Sequence, residues 1–253
     1  DRLYLDNLQP ELKQRQDDYF KTQRYSKELR MRKLVISDFL SVFIGGRDSS
    51  EQLKLFRNSL NNVVLADLDL RNSIFKMSAV GSSTISETKF DKSEIIDTVF
   101  TFSDLTKSSF RDCTISASLF DQITSFKKVS FFGSTFKDVF FAGSDMTEAD
   151  FSGGKDLKPE YFYATKNINK AVFNDEKSKK EMVEKVEKVK EDDFMGFINR
   201  SELTEQRKDG LFSTLCELKY TLEKYPKGKE SKRTTDINKC KEDFKKKAQE
   251  INK

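Results

Sequence analysis

The chain is rich in serine and threonine hydroxyls, and their spacing speaks for packing. Ser73, Ser78, Ser83, Thr88, Ser93, Thr98, Ser103 and Ser108 recur at fives. A nucleophilic serine needs a base beside it, and the chain has no histidine. General-base work would fall to Asp, Glu or Lys tuned by burial. The charged residues of this region stand at outward positions of the same pattern, where they are expected to be solvated and unperturbed. Ser152-Gly153-Gly154-Lys155 lacks the spaced glycines and the Ser/Thr after lysine that a phosphate loop needs, so it reads as a turn. Asp192-Asp193 has no calcium-loop spacing around it. The three cysteines form no metal pattern. Cys113 takes a small inward position, whereas Cys216 and Cys240 lie on two expected helices and could meet across a hairpin. The sequence therefore indicates no catalytic residue, no metal site and no cofactor.

The element that must carry those hydroxyls is set by a second series. From Leu65 to Phe151 a large apolar residue returns every fifth position, through Leu70, Phe75, Val80, Ile85, Phe90, Ile95, Phe100, Leu105, Phe110, Ile115 and Phe120. After one extra residue it continues through Phe126, Phe131, Phe136, Phe141 and Met146. Two residues before each stands a smaller series running from Val63 to Ala149, of whose eighteen members fourteen are Ser, Thr, Cys or Ala. Five matches neither the helix period of 3.6 nor the strand period of 2. Each unit must turn a corner before the next begins, and the chain winds into a coil.

These residues resemble the pentapeptide-repeat family, whose pattern is A(D/N)LXX. Leu65-Ala66-Asp67-Leu68-Asp69-Leu70 and Ala149-Asp150-Phe151 stand nearest to it, and the middle units keep only the small and large inward positions. The resemblance implies a mainly β solenoid, a right-handed quadrilateral β-helix with four five-residue faces per coil. Residues twenty apart then stack at about 4.8 Å, the spacing of neighbouring strands, so Phe90, Phe110, Phe131 and Phe151 form one ladder. A narrow prism has no room for two bulky series, which accounts for the small one. The extra residue before Phe126 should bulge outward around Gln122 and Ile123.

The flanks read as helical. Residues 1–59 form an N-terminal helical cap: a helix over 8–44 ends in Leu34, Val35, Ile36, Phe39, Leu40, Val42, Phe43 and Ile44 before Gly45-Gly46. A shorter helix follows from Ser49 or Ser50 to about Ser59. The coil runs over 60–174, closing with a turn at Pro159 and a degenerate unit through Val172-Phe173-Asn174. Residues 175–253 form a C-terminal helical appendage. It holds a Lys/Glu-rich helix over 176–191 with a thin stripe of Met182, Val183, Val186 and Val189. A helix opening at Ser201 carries Leu211, Leu215, Leu218 and Leu222, a polar loop covers 226–235, and a final helix carries Ile237, Cys240, Phe244, Ala248 and Ile251.

The formal net charge is +4, and the coil itself is slightly acidic, with lysines and arginines interrupting the acids. The resemblance implies that some relatives mimic duplex DNA and bind DNA gyrase, a role that calls for strongly negative faces. The basic end at Lys245-Lys246-Lys247 has interleaved acids and no aromatic platform, so it reads as a solvated helix face rather than a nucleic-acid site. No run of eighteen apolar residues is present. A membrane contact through the N-terminal side, a tether or leader before Asp1 and a secreted-effector role stay open, and the compartment is not decided, with a slight lean to the cytoplasm. On the outside of the coil, Ala79, Val99, Leu119 and Phe140 stack at intervals of twenty or twenty-one, with Phe102 on the same face. An exterior apolar stripe marks something that covers it: helices of the same chain, a second copy or a foreign protein partner. The leading expectation is a non-enzymatic scaffold that presents this face to a partner.

Overall fold

The computed structural model describes residues 53–61, 63–123, 125–220 and 230–251. The helix expected over 8–44 lies outside them. Residues 53–174 form a parallel β-solenoid in which each coil makes four short straight segments. Two faces form sheets. One joins β1 (Lys54–Phe56), β2 (Ile74–Lys76), β4 (Glu94–Ile96), β6 (Thr114–Ser116) and β8 (Thr135–Lys137). The other joins β3 (Ala79–Gly81), β5 (Val99–Thr101) and β7 (Leu119–Asp121). Isolated parallel bridges, such as Asp69 to Lys89 and Thr84 to Asp104, link the coils on the remaining faces. The centre of each strand points in and its neighbours point out, as the strand period of 2 demands. Two residues past each inward centre the backbone turns through left-handed φ, for example 56° at Asn72, 60° at Lys107 and 54° at Asp138. This conformation disfavours residues with a Cβ, and it is held by amide bonds to the next coil, as from Lys107 N–H to the Lys127 carbonyl at 2.9 Å.

The axis is filled with rings. Phe90 stacks on Phe110 with centroids 4.5 Å apart, Phe110 on Phe131 at 5.1 Å, and Phe131 on Phe151 at 5.2 Å. A second ladder runs Phe100, Phe120, Phe141, Phe162, with the last pair at 5.3 Å. The two ladders meet edge to face, as at Phe110 and Phe120, the arrangement that ring quadrupoles favour. The small series does more than make room. Ser103 Oγ accepts from the Ser83 amide at 3.2 Å and donates to the Val80 carbonyl at 3.3 Å; Ser93 does the same for Ser73 and Leu70. Corner peptides fall out of the strand ladders, and a buried peptide group without a partner is costly. A hydroxyl satisfies both halves of the corner, which alanine would not.

Three expectations change. The helix expected from Ser49 or Ser50 to about Ser59 gives way, over its described part, to β1, which pairs with β2 in register Leu55 to Phe75. The five-residue period in fact extends back through Leu60 and Leu55. Ile123 does not bulge outward: it is buried in the core and its amide donates to Ser144 Oγ at 2.9 Å. It thus holds the corner position. In the appendage, α1 (Glu176–Lys188) ends early and a separate α2 (Glu191–Arg200) follows, carrying acids at Glu191, Asp192 and Asp193 in its first turn. Helix α3 (Glu205–Lys219) is capped by Thr204 rather than opened by Ser201, and α4 (Glu230–Ile251) begins inside the stretch expected to be loop. Met182, Val183 and Val186 of α1 lie against the last coil and close that end of the core.

Candidate interaction face

The exterior stripe forms in the expected register. Ala79 pairs with Val99, Val99 with Leu119, and Leu119 bridges to Phe140. Its two halves differ. Leu119 and Phe140 are buried, whereas Ala79, Val99 and Phe102 are half-buried. The cover on the buried half is the chain's own helical unit. Phe140 meets Phe194 and Phe197 of α2 edge to face, at 5.8 Å and 5.9 Å between centroids. Leu211 and Leu215 of α3 and Phe244 of α4 complete the same apolar cluster. Gly143 lets α3 approach: its φ of +74° suits glycine, and a Cβ there would lie 3.2 Å from Leu218 Cδ1.

Polar groups fix the helices at one place on the face. The Arg207 guanidinium donates to the Asp97 carboxylate and to the Asp97 carbonyl, both at 2.8 Å, and to the Ser78 carbonyl at 3.3 Å. This pair is largely shielded from solvent, with side chains 14% and 16% exposed. Thr214 donates to Asp121 Oδ2 at 2.6 Å, and Gln122 donates to Thr214 at 3.2 Å. Asp138 accepts from the Glu202 amide at 2.8 Å, while its own amide donates to Tyr161 Oη. Cys216 and Cys240 are joined in a disulfide that ties α3 to α4, with Cα atoms 5.9 Å apart. One expectation about charge is overturned here. Asp121 occupies an outward position of the repeat, yet α3 buries it, and burial pushes its carboxyl up to about 6.

Chemistry finds little purchase in the rest of the described residues. Burial pushes the Cys113 thiol up to about 12, and the thiol donates to the Phe90 carbonyl, so it is a core residue and a poor nucleophile. The corner hydroxyls spend their protons on backbone carbonyls. The amides of the Ser152–Lys155 turn are occupied too: Gly153 N–H donates to Asn174 Oδ1 at 2.6 Å and Gly154 N–H to the Phe151 carbonyl at 3.0 Å. Among the described residues, no group of three or more His, Cys, Asp or Glu could hold a metal ion, and no helix is long and apolar enough to cross a membrane. Sequence reasoning placed the stripe but missed Asp97, Asp121, Thr214 and Arg207. The available signal was Asp121 itself, an acid set beside the stripe where neighbouring coils carry Thr101 and Ala142.

The family model for pentapeptide repeats matches residues 124–155 in eight copies. Similar solved structures include a pentapeptide repeat protein from the Arabidopsis thaliana thylakoid lumen, at 20% identity over 47% of this chain and 77% of that one, with a TM-score of 0.21. Another is Rfr23 from the cyanobacterium Cyanothece 51142, at 8% identity over 56% of this chain and 96% of that one, with a TM-score of 0.22. QnrB1, a plasmid-mediated fluoroquinolone resistance protein, has 13% identity over 55% of this chain and 98% of that one, with a TM-score of 0.14. No curated protein matches the chain. The matched copies lie within the coil, which is built on the same five-residue period over residues 53–174.

Proposed function

We propose that this chain is a non-enzymatic protein-interaction scaffold whose stripe-bearing face docks helices along its length. Its own α2–α4 take the Val99–Leu119–Phe140 part, and a protein partner takes the part that carries Ala79 and Phe102. The observation that carries this reading is the continuity of the stripe across a covered and a half-open region. A face that already accepts helices at one end offers the same chemistry at the other, while the interior is filled by rings and leaves no room for a ligand. The implied mimicry of DNA fits less well. Acids on the coil surface are matched by bases, as in Lys107 with Glu87 at 2.7 Å and Arg71 with Asp69 at 2.5 Å.

Two variants test the reading. Val99, Leu119 and Phe140 changed together to Asp should release the helical unit, seen as rapid proteolysis after residue 175, while the coil persists. Ala79→Asp with Phe102→Asp should leave the helices docked but lose proteins captured by the wild type from its native cell extract, or shift its sedimentation if the partner is a second copy. Unchanged capture and unchanged oligomeric state in the second variant would remove the proposal.

A further inference from the structure

Helix α1 belongs to the rod, because Met182, Val183 and Val186 pack on its last coil. Val189 and Lys190, both extended, are all that separates α1 from α2. Beyond this hinge α2–α4 hold together by themselves. Cys216 is bonded to Cys240, Phe212 stacks on Phe244 at 5.8 Å, and Lys247 of α4 pairs with Glu191 of α2 at 3.0 Å. Their seat on the coil contains one misfit. Asp121 is 5% exposed, and its Oδ2 accepts from Thr214 of α3, but Oδ1 is buried with no hydrogen-bond donor. An ionised oxygen withheld from both water and donors is unfavourable, and either protonation or the departure of α3 relieves it.

We propose that Asp121 is a protonation latch on a hinged cover: the neutral acid keeps α2–α4 seated on Val99, Leu119 and Phe140, and its ionisation favours their swing about Val189 and Lys190, which bares that stretch. The consequence for binding rests on the scaffold reading above, since the bared stretch would join Ala79 and Phe102 in one longer docking face; the latch itself needs no partner. The groups around Asp121 agree on its direction. Burial pushes the carboxyl up, Glu217 of α3 adds to this, and the hydroxyls of Thr214 and of Thr101 on β5 oppose it. Gln122 beside it is neutral, β5 and the next coil at Phe140–Ala142 bring no charge, and Arg207 of α3 is engaged by Asp97. The closed form therefore holds the proton more tightly than the open form. Docking is strongest below about 4 and weakens as pH rises through about 6. The interval from 3.8 to about 6 corresponds to a rise of about a hundredfold in the opening equilibrium.

The native thiols suit a direct test on the full chain without reductant, because Cys113 is buried in the axis and Cys216 is bonded to Cys240. Ala117 lies under the cover and is 7% exposed. Labelling of Ala117→Cys with a methanethiosulfonate reagent is compared, at each pH from 4 to 8, with the same variant carrying Asp121→Asn, so that the reactivity of the thiol itself cancels. The ratio of the two rates should rise by up to about a hundredfold across this range, centred near 6, while Cys113 stays unlabelled. A ratio independent of pH overturns the latch. So does labelling of Cys113 in step with the new thiol, which would mean that coil and cover open together. In the unaltered chain, the Asp121 side-chain carboxyl followed by carbon NMR should titrate near 6, and titration at the ordinary carboxylate value overturns the proposal as well. None of these readings involves a partner, so failure here leaves the scaffold reading standing, and loss of that reading leaves the latch standing.

Discussion

Along the axis of the coil ring stacks on ring, and successive corner serines repeat their neighbours' hydrogen bonds; at the seam with α2–α4 no contact repeats. Both regions are apolar and well buried, but they specify different things. The axis specifies a shape that any further unit of the same pattern would extend. The seam specifies one position, because Arg207 finds Asp97 and Thr214 finds Asp121 at a single register. Periodic packing builds the rod, and aperiodic polar contacts decide which stretch of its face is covered. This is the division expected if the coil serves as a support and the face as the working surface.

The sharpest way to break the comparison is within the ladder. Phe110→Ala should cost about 3–5 kcal/mol in urea unfolding, the range for removing a buried ring, and should lower the stability of coil and helices together. A loss confined to the helices would mean that the seam, not the axis, carries the fold. Opening the Cys216–Cys240 disulfide by Cys240→Ser should cost about 2–4 kcal/mol, read as earlier melting of α3 and α4 with the β signal retained.

Protonation separates the two regions further, since the ladder holds no titratable side chain. Asp121 titrates near 6 in the folded protein against 3.8 unexposed to burial. The folded state therefore holds a proton that the unfolded chain releases, so stability falls as pH rises from about 4 through 6. Full titration corresponds to about 3 kcal/mol, and Asp121→Asn should flatten this part of a pH–stability curve. The smallest effect is expected at a corner. Ser103→Ala removes the acceptor of the Ser83 amide for about 1–3 kcal/mol, and Ser103→Cys should restore part of it, as Cys113 already serves at the equivalent place on another face.

The rod was legible because its cause is local: a residue's inward or outward direction follows from its place within five, and Phe90, Phe110, Phe131 and Phe151 stack wherever that count is kept. The same count also held Leu55 and Leu60, within the stretch from Ser49 or Ser50 to about Ser59 expected to be helix. What no period could supply lies in contacts between residues far apart in sequence. Thr214 meets Asp121 across 93 positions and Arg207 meets Asp97 across 110. Burial of an outward Asp, closure of a disulfide and the choice of which half of a stripe to cover depend on where separately folded helices come to rest. A repeating sequence determines the direction of each side chain, and only the tertiary structure determines its neighbours.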